Sequence, residues 1–297
     1  MEILDAHHHL WDTRRLRYRL FDEIPALNRP CTIDEFEPVA ARNGVSGSIC
    51  VEAASAGADG LAEAIWLIGH ARSALVRGIV VWVPLERPEL AAYLDRLRDI
   101  DDGRIVGVRR SFEFEEPDFA RTDEVAAGVE EVARRGLVCD LVVFHPALPA
   151  VIDLVRACPS ATFVLDHLGK PPIRDGVLDA WRERIAELAS FPNIVCKISG
   201  LMTEADHARW RTEELVPCID HAIRCFGWSR VLFGSDWPVS ELAGTYERWL
   251  ELVSTSLHNA TFEQKQAFYG DNARSVYRLA PRAVLTESRG EQPGVDA

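Results

Sequence analysis

Eight short apolar runs rich in β-branched residues recur along the 297-residue chain, and their spacing limits the folds open to it. "EILDAHHH", "SGSICVEA", "VRGIVVWVP", "RIVGVRRS", "LVCDLVVFHP", "ATFVLDHLG", "NIVCKISG" and "RVLFGSDWP" begin near residues 2, 46, 76, 104, 137, 161, 193 and 230. The interval of roughly 24 to 44 residues is that of a strand–helix–strand unit. Between the runs, "LAEAIWLIGHARSAL", "ELAAYLDRLRDI", "EVAAGVEEVARRG" and "LDAWRERIAELASF" carry apolar residues at i, i+3 and i+4, the helical period. Buried strands alternating with helices predict a parallel sheet. Eight units favour its closure into a single-domain (β/α)8 TIM barrel over an open doubly wound sheet. The open sheet would usually bring a Gly-rich phosphate turn after its first strand, and this chain has none there. The barrel is expected over residues 1–280, with residues 281–297 a polar, disordered tail.

Local signals mark the element ends. Thr32 and Glu35 form a capping-box pattern ahead of "DEFEPVAARNG", with Gly44 at the helix stop, and Gly136 closes a later helix. Residues 11–31 make a long first connection that would lie across the barrel mouth. A net charge of −13 argues against nucleic-acid or anionic-membrane partners. Seven cysteines, odd in number and without a CxxC, read as reduced thiols of a cytoplasmic protein. There is no signal-peptide pattern and no apolar stretch long enough to span a membrane. The sequence leaves open whether the chain is a monomer or a homo-oligomer.

A barrel gathers polar residues from the C-terminal ends of its strands at one mouth. Here those residues are His7, His8 and His9, then Glu52, Arg109, His145, Asp166, His167, Lys197 and Asp236. Strand alternation sends His7 and His9 into the mouth, as two ligands of one metal require, and His8 toward the surrounding helices. The same alternation puts Asp5 on the mouth side, deeper than the histidines. A tag remnant would be longer than three histidines and would not sit inside an apolar strand. His167 supplies a third imidazole. A carboxylate such as Asp236, buried after an apolar run, needs a cation or metal partner. An N-cap role for Ser235 or Asp236 is the alternative reading.

"DAHHHLWD", "DHLGKP", "KISGL" and "FGSDWPV", in this order and spacing, resemble the amidohydrolase superfamily, most closely its lactonase branch. That branch includes fuconolactonase-, rhamnonolactonase- and 2-pyrone-4,6-dicarboxylate lactonase-like enzymes. The resemblance runs from residue 3 to about residue 280. It implies a (β/α)8 barrel that hydrolyses a cyclic ester of a small lactone. It matches His7 and His9 to the strand-1 pair, His167 to the strand-6 histidine and Asp236 to the strand-8 aspartate. Arg109 in "VGVRRS" matches an arginine that holds polar or carboxylate groups of the substrate. Two-metal members of the superfamily use a carboxylated lysine or a glutamate on strand 4, where this chain has arginine. At most one divalent ion is therefore expected, zinc from three nitrogen donors and one oxygen donor: His7, His9, His167 and Asp236.

Lactone hydrolysis needs an activated water, a polarised carbonyl and a proton for the leaving alkoxide. Asp236 is suited to take and return the proton. The three histidines either hold a metal or polarise the carbonyl themselves, and catalysis without metal is the second option. Lys170 is a candidate anchor for an anionic product, Trp11, Trp82 and Trp237 for stacking on a sugar ring, and His145 for a substrate contact. Glu52 is a candidate for orienting a histidine. The alternative activity is a decarboxylase of an aromatic or semialdehyde acid, which shares the H-x-H, the later histidine and the strand-8 aspartate. Which lactone is bound depends on loop geometry that the sequence does not reveal.

Overall fold

A computed structural model describes residues 1–53 and 60–279. Eight parallel strands lie in the order β1 to β8: β1 (Ile3–His9), β2 (Val45–Val51), β3 (Val76–Trp82), β4 (Ile105–Ser111), β5 (Val138–Val142), β6 (Phe163–Leu165), β7 (Ile194–Ile198) and β8 (Val231–Phe233). The sheet curls round until β1 meets the chain just after β8. There the Asp236 N–H donates to the His7 carbonyl at 2.8 Å, and the His9 N–H to the Trp237 carbonyl at 2.7 Å. This is the expected (β/α)8 barrel. A short helix α1 (Arg19–Glu23) lies in the first connection. Eight longer helices follow: α2 (Ile33–Arg42), α3 (Gly60–His70), α4 (Leu90–Ile100), α5 (Asp123–Arg134), α6 (Leu148–Ala157), α7 (Asp179–Ala189), α8 (Thr212–Phe226) and α9 (Tyr246–Ser256).

Two apolar layers follow from strand alternation. The larger lies between sheet and helices. The smaller fills the barrel interior with Leu4, Ala6, Ile49, Val51, Val80, Val138, Val164, Val195 and Leu232, and Ala273 and Tyr277 close it from below. Fully burying a side chain of this kind contributes roughly 1.5–3 kcal/mol, so both layers are needed for a stable barrel. All seven cysteines are free thiols. No helix among the described residues is long and apolar enough to cross a membrane. The tail expected at 281–297 lies outside the described residues.

Several local expectations need correction. Thr32 does stand at the N-cap of α2, but its side chain makes no capping bond, and Glu35 pairs with Arg29 instead. The chain does turn through positive φ at Gly44 and Gly136, where helices stop. Simple alternation also fails at Asp5. A register shift falls between Asp5 and His8, so Ala6 and His7 both turn inward. Asp5 instead faces α9, where it accepts from the Tyr246 hydroxyl at 3.0 Å. Its other oxygen accepts from the backbone N–H groups of His7 (3.1 Å) and Ser235 (2.9 Å). One buried carboxylate thus pins the irregularity in β1 to the chain leaving β8. Burial raises its pKa to about 6.

His8 is the triplet member that leaves the mouth. Its ring stacks on Phe36 of α2 at 4.0 Å, and burial lowers its pKa to about 3, so it is neutral. Replacing Asp5 by alanine strands two buried backbone N–H groups and a hydroxyl. Since each unpaired buried donor costs about 1–3 kcal/mol, Asp5→Ala should lower unfolding stability by about 3 kcal/mol or more. Asp5→Asn, which keeps an acceptor, should cost clearly less. Urea unfolding of both variants measures the difference, and equal losses would mean that the acceptor role is not what matters.

Candidate active site

The C-terminal mouth of the barrel holds a pocket of about 560 Å³, open to solvent, with His9, His167, Asp236, Arg109 and Lys170 in its wall. His7 lies just beneath. Its Nε2 is 3.2 Å from His9 Nε2, and the Asp236 Oδ1 atom is 3.3 Å from His9 Nε2 and 3.8 Å from His7 Nε2. His167 Nε2 is 3.9 Å from the same oxygen. The four residues predicted as a unit therefore meet at one point.

The outer nitrogen of each imidazole is held. His9 Nδ1 donates to the Val51 carbonyl at 2.9 Å, which turns Nε2 toward the centre. His167 Nδ1 lies 2.8 Å from the Ser199 hydroxyl. His7 Nδ1 sits between Asp166 Oδ1 at 3.3 Å and Lys197 Nζ at 3.2 Å. Burial lowers the pKa of His7 and of His167, so both favour the neutral ring. Burial alone would raise the Asp236 carboxyl. His167, His9 and His7 outweigh it and hold Asp236 well below the usual carboxylate range.

The donor set fits a metal. Two imidazole nitrogens 3.2 Å apart call for a shared proton or a cation between them. Zinc bonds of about 2.0–2.1 Å imply tetrahedral edges of about 3.3 Å, close to the His7–His9 and His9–Asp236 separations. His7, His9 and Asp236 can all contribute ligand atoms, and so can the grouping of His7, Asp166 and His167.

The backbone around this point is unusual. Among the described residues, four of the five non-glycine positions with positive φ are His167, Leu168, Lys170 and Asp236, at 52°, 56°, 49° and 60°. Each such residue costs roughly 1–2 kcal/mol, which the surrounding contacts must offset. Gly200 explains one close approach, since a Cβ there would lie 2.5 Å from His167 Nδ1.

Beneath and beside the histidines run two buried charge networks. Lys197 is completely buried and donates to Asp140 (2.5 Å) and Asp166 (3.0 Å) as well as facing His7. Tyr277 donates to Asp140 from below, and burial raises the Asp140 pKa to about 6 against the pull of Lys197. Arg109 gives its Nε to Glu52 Oε1 (2.6 Å), Nη2 to the Glu52 carbonyl (2.6 Å) and Nη1 to Asp166 (3.1 Å). Glu52 therefore orients Arg109 and not a histidine. Lys170 is half-buried in the pocket wall with Glu113 at 2.5 Å and Glu204 at 3.4 Å.

Other sequence candidates are distributed differently. Trp11 lines the pocket, its indole N–H bound to the Arg29 carbonyl at 2.6 Å. Trp237 turns away, packing on Phe36 and donating to Glu241, because the chain after Asp236 has crossed to the helix side of β1. Trp82 packs edge-on against Tyr93 behind the sheet. His145 begins a helical turn three residues beyond β5 and is absent from the pocket wall. Sequence reasoning missed Glu113, Glu204, Ser199 and Asp140. Ser199 stood inside the "KISGL" motif. Glu113 was hidden in "FEFEEPD", which has the composition of a solvated loop.

Residues 4–279 match the family described as amidohydrolase. An L-fucono-1,5-lactonase of Burkholderia multivorans is 32% identical over 290 residues, covering 93% of this chain and 96% of that one. A 2-pyrone-4,6-dicarboxylate hydrolase of Comamonas testosteroni is 27% identical over 265 residues, covering 84% and 82%. Among solved structures, an amidohydrolase from Burkholderia multivorans with bound zinc aligns at a TM-score of 0.86 and 31% identity, over 94% of this chain and 100% of that one.

Lys197 tests how far the site depends on its buried floor. Lys197→Met leaves Asp140 and Asp166 without their shared cation, and breaking a buried ion pair on one side costs about 3–5 kcal/mol. Unfolding stability should fall by that amount, and adding Asp140→Asn should recover part of it. No recovery in the double variant would mean that Lys197 contributes packing and not charge.

Proposed function

The chain belongs to the amidohydrolase family, and on that premise we propose that it hydrolyses a small lactone to the open hydroxy acid. One observation carries the reading: an ionised aspartate, Asp236, stands within 4 Å of three imidazoles in a single pocket. That arrangement supplies a proton acceptor and electrophilic donors around one small volume, which is what ester hydrolysis by water requires. The names of the lactone-hydrolysing relatives support the same class of substrate.

In this reading Asp236 accepts a proton from water as the water oxygen bonds to the lactone carbonyl carbon. The carbonyl π electrons move onto oxygen, where the Nε2–H of His167, whose Nδ1 accepts from the Ser199 hydroxyl, donates to the developing oxyanion. Collapse breaks the ring C–O bond, and Asp236 returns the proton to the departing alkoxide. An aspartate with so low a pKa is a weak base until its neighbours turn elsewhere. His167, the strongest of the groups that lower it, is also the donor for the carbonyl, so substrate binding draws it from the carboxylate and raises the basicity of Asp236. Ser199 and the Val51 carbonyl keep the His167 and His9 rings in orientation. Arg109 is already held by Glu52 and Asp166, so it shapes the wall and presents its remaining N–H groups.

We assign His7, His9 and Asp236, with His167 beside them, as the residues that would hold one divalent ion, for which zinc suits the donors. Such an ion supplies Lewis-acid polarisation of the carbonyl when bound. The zinc in the related structure supports this assignment.

Acid release from a panel of sugar lactones, followed with a pH indicator, tests the activity. Asp236→Asn should reduce kcat/KM by about 10²–10⁴-fold, the usual contribution of acid–base catalysis. Full activity in that variant would rule Asp236 out as the base. No acid from any lactone, with CO₂ evolved from an aromatic acid, would make the enzyme a decarboxylase. For the ion, zinc titration should show one equivalent bound to the wild type, with affinity falling at least tenfold in His9→Asn. Undiminished affinity in that variant would remove the ligand assignment and leave the hydrolase reading standing.

A further inference from the structure

We propose that the Glu113–Lys170–Glu204 cluster makes the pocket selective for lactones bearing neutral hydroxyls and excludes those carrying a carboxylate or sulfonate on the ring. This inference rests on the lactonase reading and names the substrate class for it. The starting point is that each basic side chain in the pocket wall is already matched by acid. Lys170 serves both Glu113 and Glu204, and Arg109 serves Glu52 and Asp166. His9 and His167 face Asp236. The described residues lining the pocket thus bring two carboxylates, Glu113 and Asp236, and two permanent cations, Arg109 and Lys170, and behind the wall Glu204 pairs with Lys170 while Glu52 and Asp166 pair with Arg109.

An anionic substituent entering this pocket meets no uncommitted cation among the described residues, and it meets the like charges of Glu113 and Asp236 in the wall. To pair with Lys170 it would have to displace a glutamate from a half-buried contact. Glu113, Lys170 and Asp236 line the same pocket, so a substituent at the cluster belongs to a ligand whose other end lies at the reacting centre.

A hydroxyl is the complementary guest. Each carboxylate engaged by Lys170 keeps lone pairs that accept an O–H, and the ammonium keeps an N–H that donates to the hydroxyl oxygen. Two carboxylates flanking one ammonium give alternating acceptor, donor and acceptor, the pattern that neighbouring hydroxyls on a sugar ring satisfy together. The rest of the wall includes Trp11, Phe21 and Val239, apolar surface suited to the C–H face of the same ring.

The test uses two lactones of matched ring size, an aldono-1,5-lactone and its counterpart with a carboxylate in place of the terminal hydroxymethyl group. The wild type should favour the neutral member by about 100-fold in kcat/KM. Glu204→Gln removes one charge at nearly constant shape. The preference should then shrink about tenfold, through both loss on the neutral lactone and gain on the carboxylated one. Glu113→Gln should act in the same direction. A wild type that prefers the carboxylated lactone overturns the inference and leaves the hydrolase reading intact. So does a ratio unchanged in both variants. No hydrolysis of any lactone removes the underlying reading, and this inference with it.

Discussion

A lysine ammonium buried at the centre of the barrel, with no access to water, is the constraint on which the site is built. Lys197 pairs there with both Asp140 and Asp166, and its charge pulls the two carboxyls down against the rise that burial imposes on them. Asp166 then reaches outward to Arg109 and His7, and Arg109 reaches on to Glu52. Strands β1, β2, β4, β5 and β7 and the end of β6 are thus tied by one polar network under the pocket. The histidines stand on this floor, and their ring orientations follow from it.

A second constraint works through the backbone. The chain leaves β6 through left-handed conformations at His167, Leu168 and Lys170, and leaves β8 through another at Asp236. Helical or extended geometry would carry these side chains along the sheet or behind it. The left-handed turns bring His167 and Asp236 to the pocket centre and Lys170 to its wall. Asp5 does comparable work for β1, bonding the backbone at His7 and Ser235 so that the first and last strands meet in the right register. Backbone strain and buried charge both concentrate where the chemistry is proposed, as expected when geometry matters more there than local stability.

Much of this was legible in the chain. The strand period predicted the barrel, and strand-end position predicted the meeting of His7, His9, His167 and Asp236. The misses have physical causes. Alternation assigned Asp5 to the mouth because it has no way to anticipate a register shift that depends on Ser235 and Tyr246, far along the chain. Trp237 looked like a sugar platform by position, but the chain after Asp236 turns it onto Phe36. His145 follows β5 closely in sequence, yet a helical turn carries it off the pocket wall. Glu113 and Glu204 lay in loops whose composition resembles ordinary surface, so only their pairing with Lys170 marks them.

By itself the sequence determined the barrel, the face on which His7 and His9 lie, and the strands that carry their partners. These rest on short-range periodicity, because side-chain direction along a strand repeats every two residues. Only the tertiary structure decided which charges are free and which are spent. Lys197 meets His7 across 190 positions of chain, and Arg109 meets Glu52 and Asp166 each across 57. Coulomb energy depends on distance and burial in the closed barrel, neither of which a linear pattern encodes. The basic residues that look in sequence like anchors for an anionic substrate are, once folded, already neutralised by the protein itself.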